Sequence, residues 1–103
     1  MKRQGEEKDK EIYDGILAFV CDQTGVDFND LKKRRMYPLP LYRYGVLHYL
    51  RNKQDWSWGR IERATGMHHE TAMYGIRNLF NWLQTGNQDA KYIVELINNY
   101  SHV

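Results

Sequence analysis

Nowhere along this 103-residue chain do apolar and polar residues alternate over a useful length; wherever apolar residues recur, the spacing is helical. That pattern restricts the chain to an all-α fold, and the stop signals between periodic stretches divide it into a compact bundle of five to six helices. Ile12, Ile16, Leu17 and Val20 mark a helix over residues 9–23, closed by Thr24-Gly25. Asp27 caps a short helix carrying Phe28 and Leu31, which runs into the tetrad Lys32-Lys33-Arg34-Arg35. Met36-Tyr37-Pro38-Leu39-Pro40 is expected to be non-helical, because each proline disfavours the α conformation in the residue before it. Over 41–54, Leu41, Tyr42, Tyr44, Val46, Leu47, Tyr49 and Leu50 leave few purely polar positions, so this helix is expected at the centre, surrounded by the others. Asp55 or Ser57 caps a helix over 58–64. Thr65-Gly66-Met67 is a break with glycine where a left-handed residue is needed, and a helix over 70–84 follows with His69 as its first cap. Asn87 caps a last helix, to about Asn98, with Ala90, Ile93, Val94 and Ile97 on its apolar side. One helical domain is therefore expected over 9–103, behind a flexible N-terminal arm, 1–8.

The length suits a single core. Apolar residues are 42% of the chain, too many for a disordered one. A mean hydropathy of −0.77 and the lack of an apolar run near ~20 residues exclude a membrane-spanning helix. The charged stretch from Met1 to Glu11 does not read as a signal peptide. A lone cysteine, Cys21, on an apolar helical pattern reads as a small buried hydrophobe, and the expected compartment is the reducing cytoplasm.

The net charge of +2 conceals a segregation: residues 1–30 carry four basic groups against eight carboxylates, whereas residues 31–77 carry ten against three. A concentrated positive field in the middle of the chain favours a polyanion. The two helices around Gly66 match a helix-turn-helix in outline, spanning about 57–83. A rotation of 100° per residue sets Ala72, Met73, Ile76, Leu79, Phe80 and Leu83 on one arc, expected to face the core. The opposite arc holds Glu70, Thr71, Tyr74, Arg77, Asn78 and Asn81, with sizes and donor–acceptor types that reach base edges in a major groove.

Residues 26–80 also resemble a known family. Val26-Asp27-Phe28-Asn29-Asp30-Leu31, then Lys33-Arg34-Arg35, Tyr49-Leu50-Arg51, Trp56-Ser57-Trp58, Ile61, Arg63-Ala64, Gly66 and finally Thr71 before Met73 follow, in order and spacing, the C-terminal DNA-binding domain (domain IV) of the bacterial replication initiator DnaA, a Trp-repressor-like helix-turn-helix fold. The resemblance implies that the recognition helix starts at His68-His69-Glu70-Thr71, reads bases in the major groove and contacts phosphate through its N-terminal turn. It implies that Lys33, Arg34 and Arg35 reach the neighbouring minor groove or its phosphates, and makes Arg43, Arg51 and Arg60 candidate backbone clamps. It points to a replication-initiator-like accessory factor, a transcriptional regulator or a mobile-element protein. The family's arginine, aspartate, histidine and second threonine correspond here to His68, His69, Glu70 and Ala72, so the initiator's recognition sequence does not carry over. Glu62 stands where the family usually has glycine. No phosphate-cradling G-x-x-x-x-G-K-[ST] occurs, so the ATPase half of an initiator is absent from this chain.

No catalytic constellation, metal site or cofactor site is expected. Neighbouring histidines on a helix point about 100° apart, which argues against His68 and His69 sharing an ion. His48 reads as a core or interface residue. The expected partner is double-stranded DNA, bound by a monomer or weak homodimer away from membranes. The rival reading is a protein-interaction module, using the N-terminal helix or exposed aromatics; Trp56, Trp58 and Trp82 are expected mainly to fill the core.

Overall fold

The stops at Thr24-Gly25, Pro38, Asp55, Gly66 and Gly86 separate six helices among the described residues: α1 (Gln4–Thr24), α2 (Phe28–Lys33), α3 (Leu39–Asn52), α4 (Trp58–Thr65), α5 (His69–Gln84) and α6 (Gln88–Tyr100). The computed structural model describes residues 4–100, with side chains from Glu7 onward, and contains no strand among them. Helix α1 begins at Gln4, five residues before the start that apolar spacing marks; residues 1–3 of the expected arm lie outside the described residues. Residues 39 and 40 also differ from expectation. Helix α3 begins at Leu39, and Pro40 sits in its first turn, where a missing N–H costs nothing.

Local chemistry explains the other ends. The Asp27 carboxylate accepts from the N–H groups of Asn29 and Asp30 at the start of α2. Ser57, and not Asp55, caps α4 by accepting from Arg60 N at 3.2 Å. Asn87 Oδ1 accepts from Ala90 N at 2.8 Å at the start of α6. Gly66 ends α4 in the left-handed region at φ 72°, which turns the chain into α5 within three residues.

Helix α3 packs against all five others, so the helix with the fewest purely polar positions does lie at the centre. Leu47 and Leu50 of α3 are fully buried with Ile16, Leu17 and Val20 of α1, Leu31 of α2, Ile61 of α4, Leu79 of α5 and Ile93 of α6. Helix α5 crosses α3 closely at Gly75, where an added Cβ would come within 2.6 Å of Tyr44 Cε1. The buried face of α5 is thus Ala72, Gly75, Ile76 and Leu79. Met73 and Phe80, expected in the core, are 38% and 45% exposed, because the close approach at Gly75 turns the contact line away from both. Trp56 is buried, but Trp82 is exposed. No helix among the described residues is long and apolar enough to cross a membrane.

Candidate nucleic-acid interface

Two surfaces separate in sequence meet in one cleft of about 570 Å³. Lys32 and Lys33 at the end of α2, with Arg35 just after it, line it together with Thr71 and Tyr74 of α5; Pro40, Arg43 and Tyr44 of α3 and Met67 of the α4–α5 turn complete the lining. A smaller hollow of about 170 Å³ lies along the next stretch of α5, between Glu70, Met73, Tyr74 and Arg77. Tyr74 belongs to both hollows and is 59% exposed. Thr71 and Arg77 are exposed and Asn78 is half-buried, so the outer arc of α5 faces away from the protein's own core.

The basic segment is held in place from both sides. Arg43, 8% exposed, donates through Nη1 to the carbonyl oxygens of Leu31 at 2.6 Å and Arg34 at 2.7 Å. These lie at the C-terminal end of α2, where backbone carbonyls run out of helical partners. Arg43 was expected as a clamp on a phosphate backbone; its guanidinium is instead bonded inside the protein, and its part in the cleft is to aim the residues around it. Burial pushes its pKa below the ordinary arginine value, although neighbouring tyrosines oppose the shift. Further along, the Tyr37 hydroxyl donates to Asp89 Oδ2 at 2.7 Å and accepts from Asn87 Nδ2 at 3.0 Å, tying the segment to the start of α6.

Several cations are already engaged. Asp9 of α1 accepts two bonds from Arg60, at 2.8 and 2.9 Å, and the guanidinium also lies 4.2 Å from the Trp56 ring centroid. Arg60, another expected clamp, is therefore neutralised within the fold; the bond to Asp9 raises its pKa further. Lys32 pairs with Asp14 of α1 at 3.1 Å, and Arg34 pairs with Asp30 at 3.0 Å across one helical turn with both side chains open to water. Arg51 donates to the Trp56 carbonyl at 2.9 Å and lies over Trp58. The acidic first helix thus balances part of the basic middle. Lys33, Arg35 and Arg77 are exposed and form no ion pair or side-chain hydrogen bond among the described residues.

The start of α5 is capped from within the protein. His68 is the N-cap, accepting from Glu70 N through Nδ1 at 3.2 Å, and His69 is the first helical residue. Glu62 of α4 accepts from His69 N at 3.0 Å through Oε1, and His69 Nδ1 lies 3.4 Å from the same oxygen. Two amides that would meet a phosphate at this helix start are thus occupied, one of them by a carboxylate. The backbone and side-chain bonds from His69 hold the Glu62 carboxyl below its ordinary pKa. Glu62 and His68 thus engage the first two amides of α5 from within the protein. His68 lies outside the helix, so the two imidazoles are not held 100° apart, and their rings lie 4.3 Å centroid to centroid.

Sequence reasoning placed Lys33, Arg35, Thr71 and Tyr74 in one site. It missed Tyr44, Tyr37 and the capping role of Glu62, none of which carries a local sequence signal, because each acts on a residue in another element. No protein-family model matches the chain, and no curated protein or solved structure matches it either.

Proposed function

We propose that this chain binds double-stranded DNA without catalysis, setting α5 in the major groove and the basic segment after α2 on the adjacent backbone or minor groove. The observation that carries the reading is the shared cleft, in which the free cations Lys33 and Arg35 flank the exposed Thr71 and Tyr74. Arginine and lysine side chains without internal partners are suited to releasing counterions from phosphate. Threonine, tyrosine, asparagine and arginine on the exposed arc of α5 offer donors and acceptors at the scale of base edges. The resemblance of residues 26–80 to DnaA domain IV, a Trp-repressor-like helix-turn-helix, supplies the proposed role: a cytoplasmic accessory factor in replication initiation or a transcriptional regulator. Because His68, His69 and Glu70 stand where the resembled family has its reading residues, and Glu62 accepts from the His69 amide, the recognised site differs from that of the initiator.

The test is fluorescence anisotropy on a random-sequence duplex across a salt series. Three phosphate contacts, from the unpaired Lys33, Arg35 and Arg77, give a slope of log K against log salt near −2.7, at about −0.9 per contact. The double variant Lys33→Ala/Arg35→Ala shallows the slope by about 1.8. Absence of duplex binding at about 50 mM salt refutes the proposal. A second reading rests on a separate observation: Tyr37, Trp82 and Tyr92 are exposed, and the Tyr37 and Trp82 rings lie 5.8 Å apart, which suits an aromatic surface for a protein partner. Binding through that surface depends little on salt.

A further inference from the structure

The α4–α5 turn brings together three side chains, two of which, Glu62 and His68, cap the start of α5. Glu62, His68 and His69 each present one ligand-type atom, and all three atoms lie within 4.8 Å of one another. We infer that Glu62, His68 and His69 form a binding site for a single divalent transition-metal ion of zinc type, bridging the two helices of the helix-turn-helix.

The chemistry of the set is specific. Two imidazoles and one carboxylate are borderline ligands suited to Zn²⁺, Ni²⁺, Cu²⁺ or Co²⁺, and poorly suited to Mg²⁺ or Ca²⁺, which take oxygen ligands. Metal–ligand bonds near 2.0–2.1 Å at tetrahedral angles separate ligand atoms by about 3.4 Å. Glu62 Oε1 and His69 Nδ1 are already 3.4 Å apart. These two therefore need little movement, and the remaining adjustment falls to His68, which is exposed and outside the helix. With three protein ligands, water completes the coordination.

Binding has a definite cost. His68 Nδ1 accepts from Glu70 N, so the neutral ring carries its proton on Nε2. Coordination through Nδ1 displaces that cap directly, and coordination through Nε2 requires the tautomer that cannot make it. The ion must therefore replace the cap, and affinity is expected to be modest. The gain is a coordinate link between α4 and the first turn of α5, which now touch here through a single 3.0 Å bond and one imidazole–carboxylate contact. Loading also reverses the local charge from a carboxylate to a net cation. If α5 enters a DNA groove as proposed above, loading strengthens DNA binding; this consequence alone rests on that reading.

The site is tested on the untagged full chain without DNA. Co²⁺ is titrated in as a spectroscopic probe, and Zn²⁺ is followed by calorimetry and by amide NMR shifts. Expected are 1:1 stoichiometry, intense visible d–d bands typical of four- or five-coordinate Co²⁺, and NMR shifts centred on residues 62 and 66–70. His69→Gln and His68→Gln each weaken Zn²⁺ binding at least tenfold. A Co²⁺ spectrum that stays that of the hexa-aquo ion overturns the inference. So do NMR shifts centred elsewhere, a readout on the unaltered protein that does not depend on the variants folding. Duplex binding is then measured with and without Zn²⁺. Loss of metal binding with DNA binding intact removes only this inference; metal binding without any duplex binding removes only the DNA proposal.

Discussion

Replacing Arg43 with methionine keeps an unbranched apolar stem while deleting the guanidinium that joins α3 to the end of α2. Two bonds are lost, to the Leu31 and Arg34 carbonyls at 2.6 and 2.7 Å. Hydrogen bonds to a charged group contribute roughly 1.5–3 kcal/mol each, so the gross loss is about 3–6 kcal/mol. Part is offset, because the variant no longer holds a cation out of water and the part-buried Arg34 carbonyl regains solvent; the net loss is about 2–4 kcal/mol. For a domain of this size that lowers Tm by on the order of 10–25 °C. Urea unfolding at neutral pH, followed by circular dichroism, measures it. A loss below about 1 kcal/mol refutes the reasoning, since two bonds from a buried cation cannot contribute so little if they hold the segment. The same variant separates positioning from contact. Where Arg43 only aims Lys33 and Arg35, duplex affinity falls while the salt slope stays within error; a direct phosphate contact would shallow it by about 0.9.

Gly75→Ala drives a methyl group into the Tyr44 ring and is expected to cost about 1–2 kcal/mol despite the better helix propensity of alanine. In a Tyr44→Leu background the same change should become neutral or stabilising, and a double-mutant cycle in urea reads the difference. Arg60→Gln should leave the DNA salt slope unchanged, because Asp9 already neutralises that guanidinium, while costing about 1 kcal/mol of stability; a shallower slope would restore Arg60 as a clamp. Burial is the main cause of the lowered pKa of His48, with Lys53 adding to it, so the folded state favours the neutral ring. Stability from this source is fully present above the unfolded value of about 6.5 and is lost as pH falls through it toward the lower folded value. His48→Gln should flatten that part of a Tm-against-pH curve, and an unchanged acid limb would rule His48 out as its source.

Much of the architecture was legible along the chain, because helix punctuation is local chemistry. Asp27, Ser57 and Asn87 cap helices by bonding to backbone two or three residues ahead, and Gly66 supplies a left-handed bend at its own position. The exposed arc of α5 was legible for the same reason, since helical geometry alone sorts Thr71 and Tyr74 from Ala72 and Ile76. The arc was misjudged at Met73 and Phe80. Periodicity gives the direction of an apolar face but not its width, and the width was set by how closely Gly75 lets Tyr44 approach.

What tertiary structure alone decided is the allocation of charge. Ten basic residues between 31 and 77 look equivalent in one dimension. Folding assigns Arg43 to the carbonyls of α2, Arg60 and Lys32 to the acidic first helix, and Glu62 to the start of α5, while Lys33, Arg35, Lys53, Arg63 and Arg77 stay exposed without an ion pair, three of them along the candidate interface. Caps and helix periods act over a few residues, so sequence order determines them. Ion pairs such as Arg60–Asp9 join residues 51 positions apart, and only the packing of one helix on another brings such groups within reach.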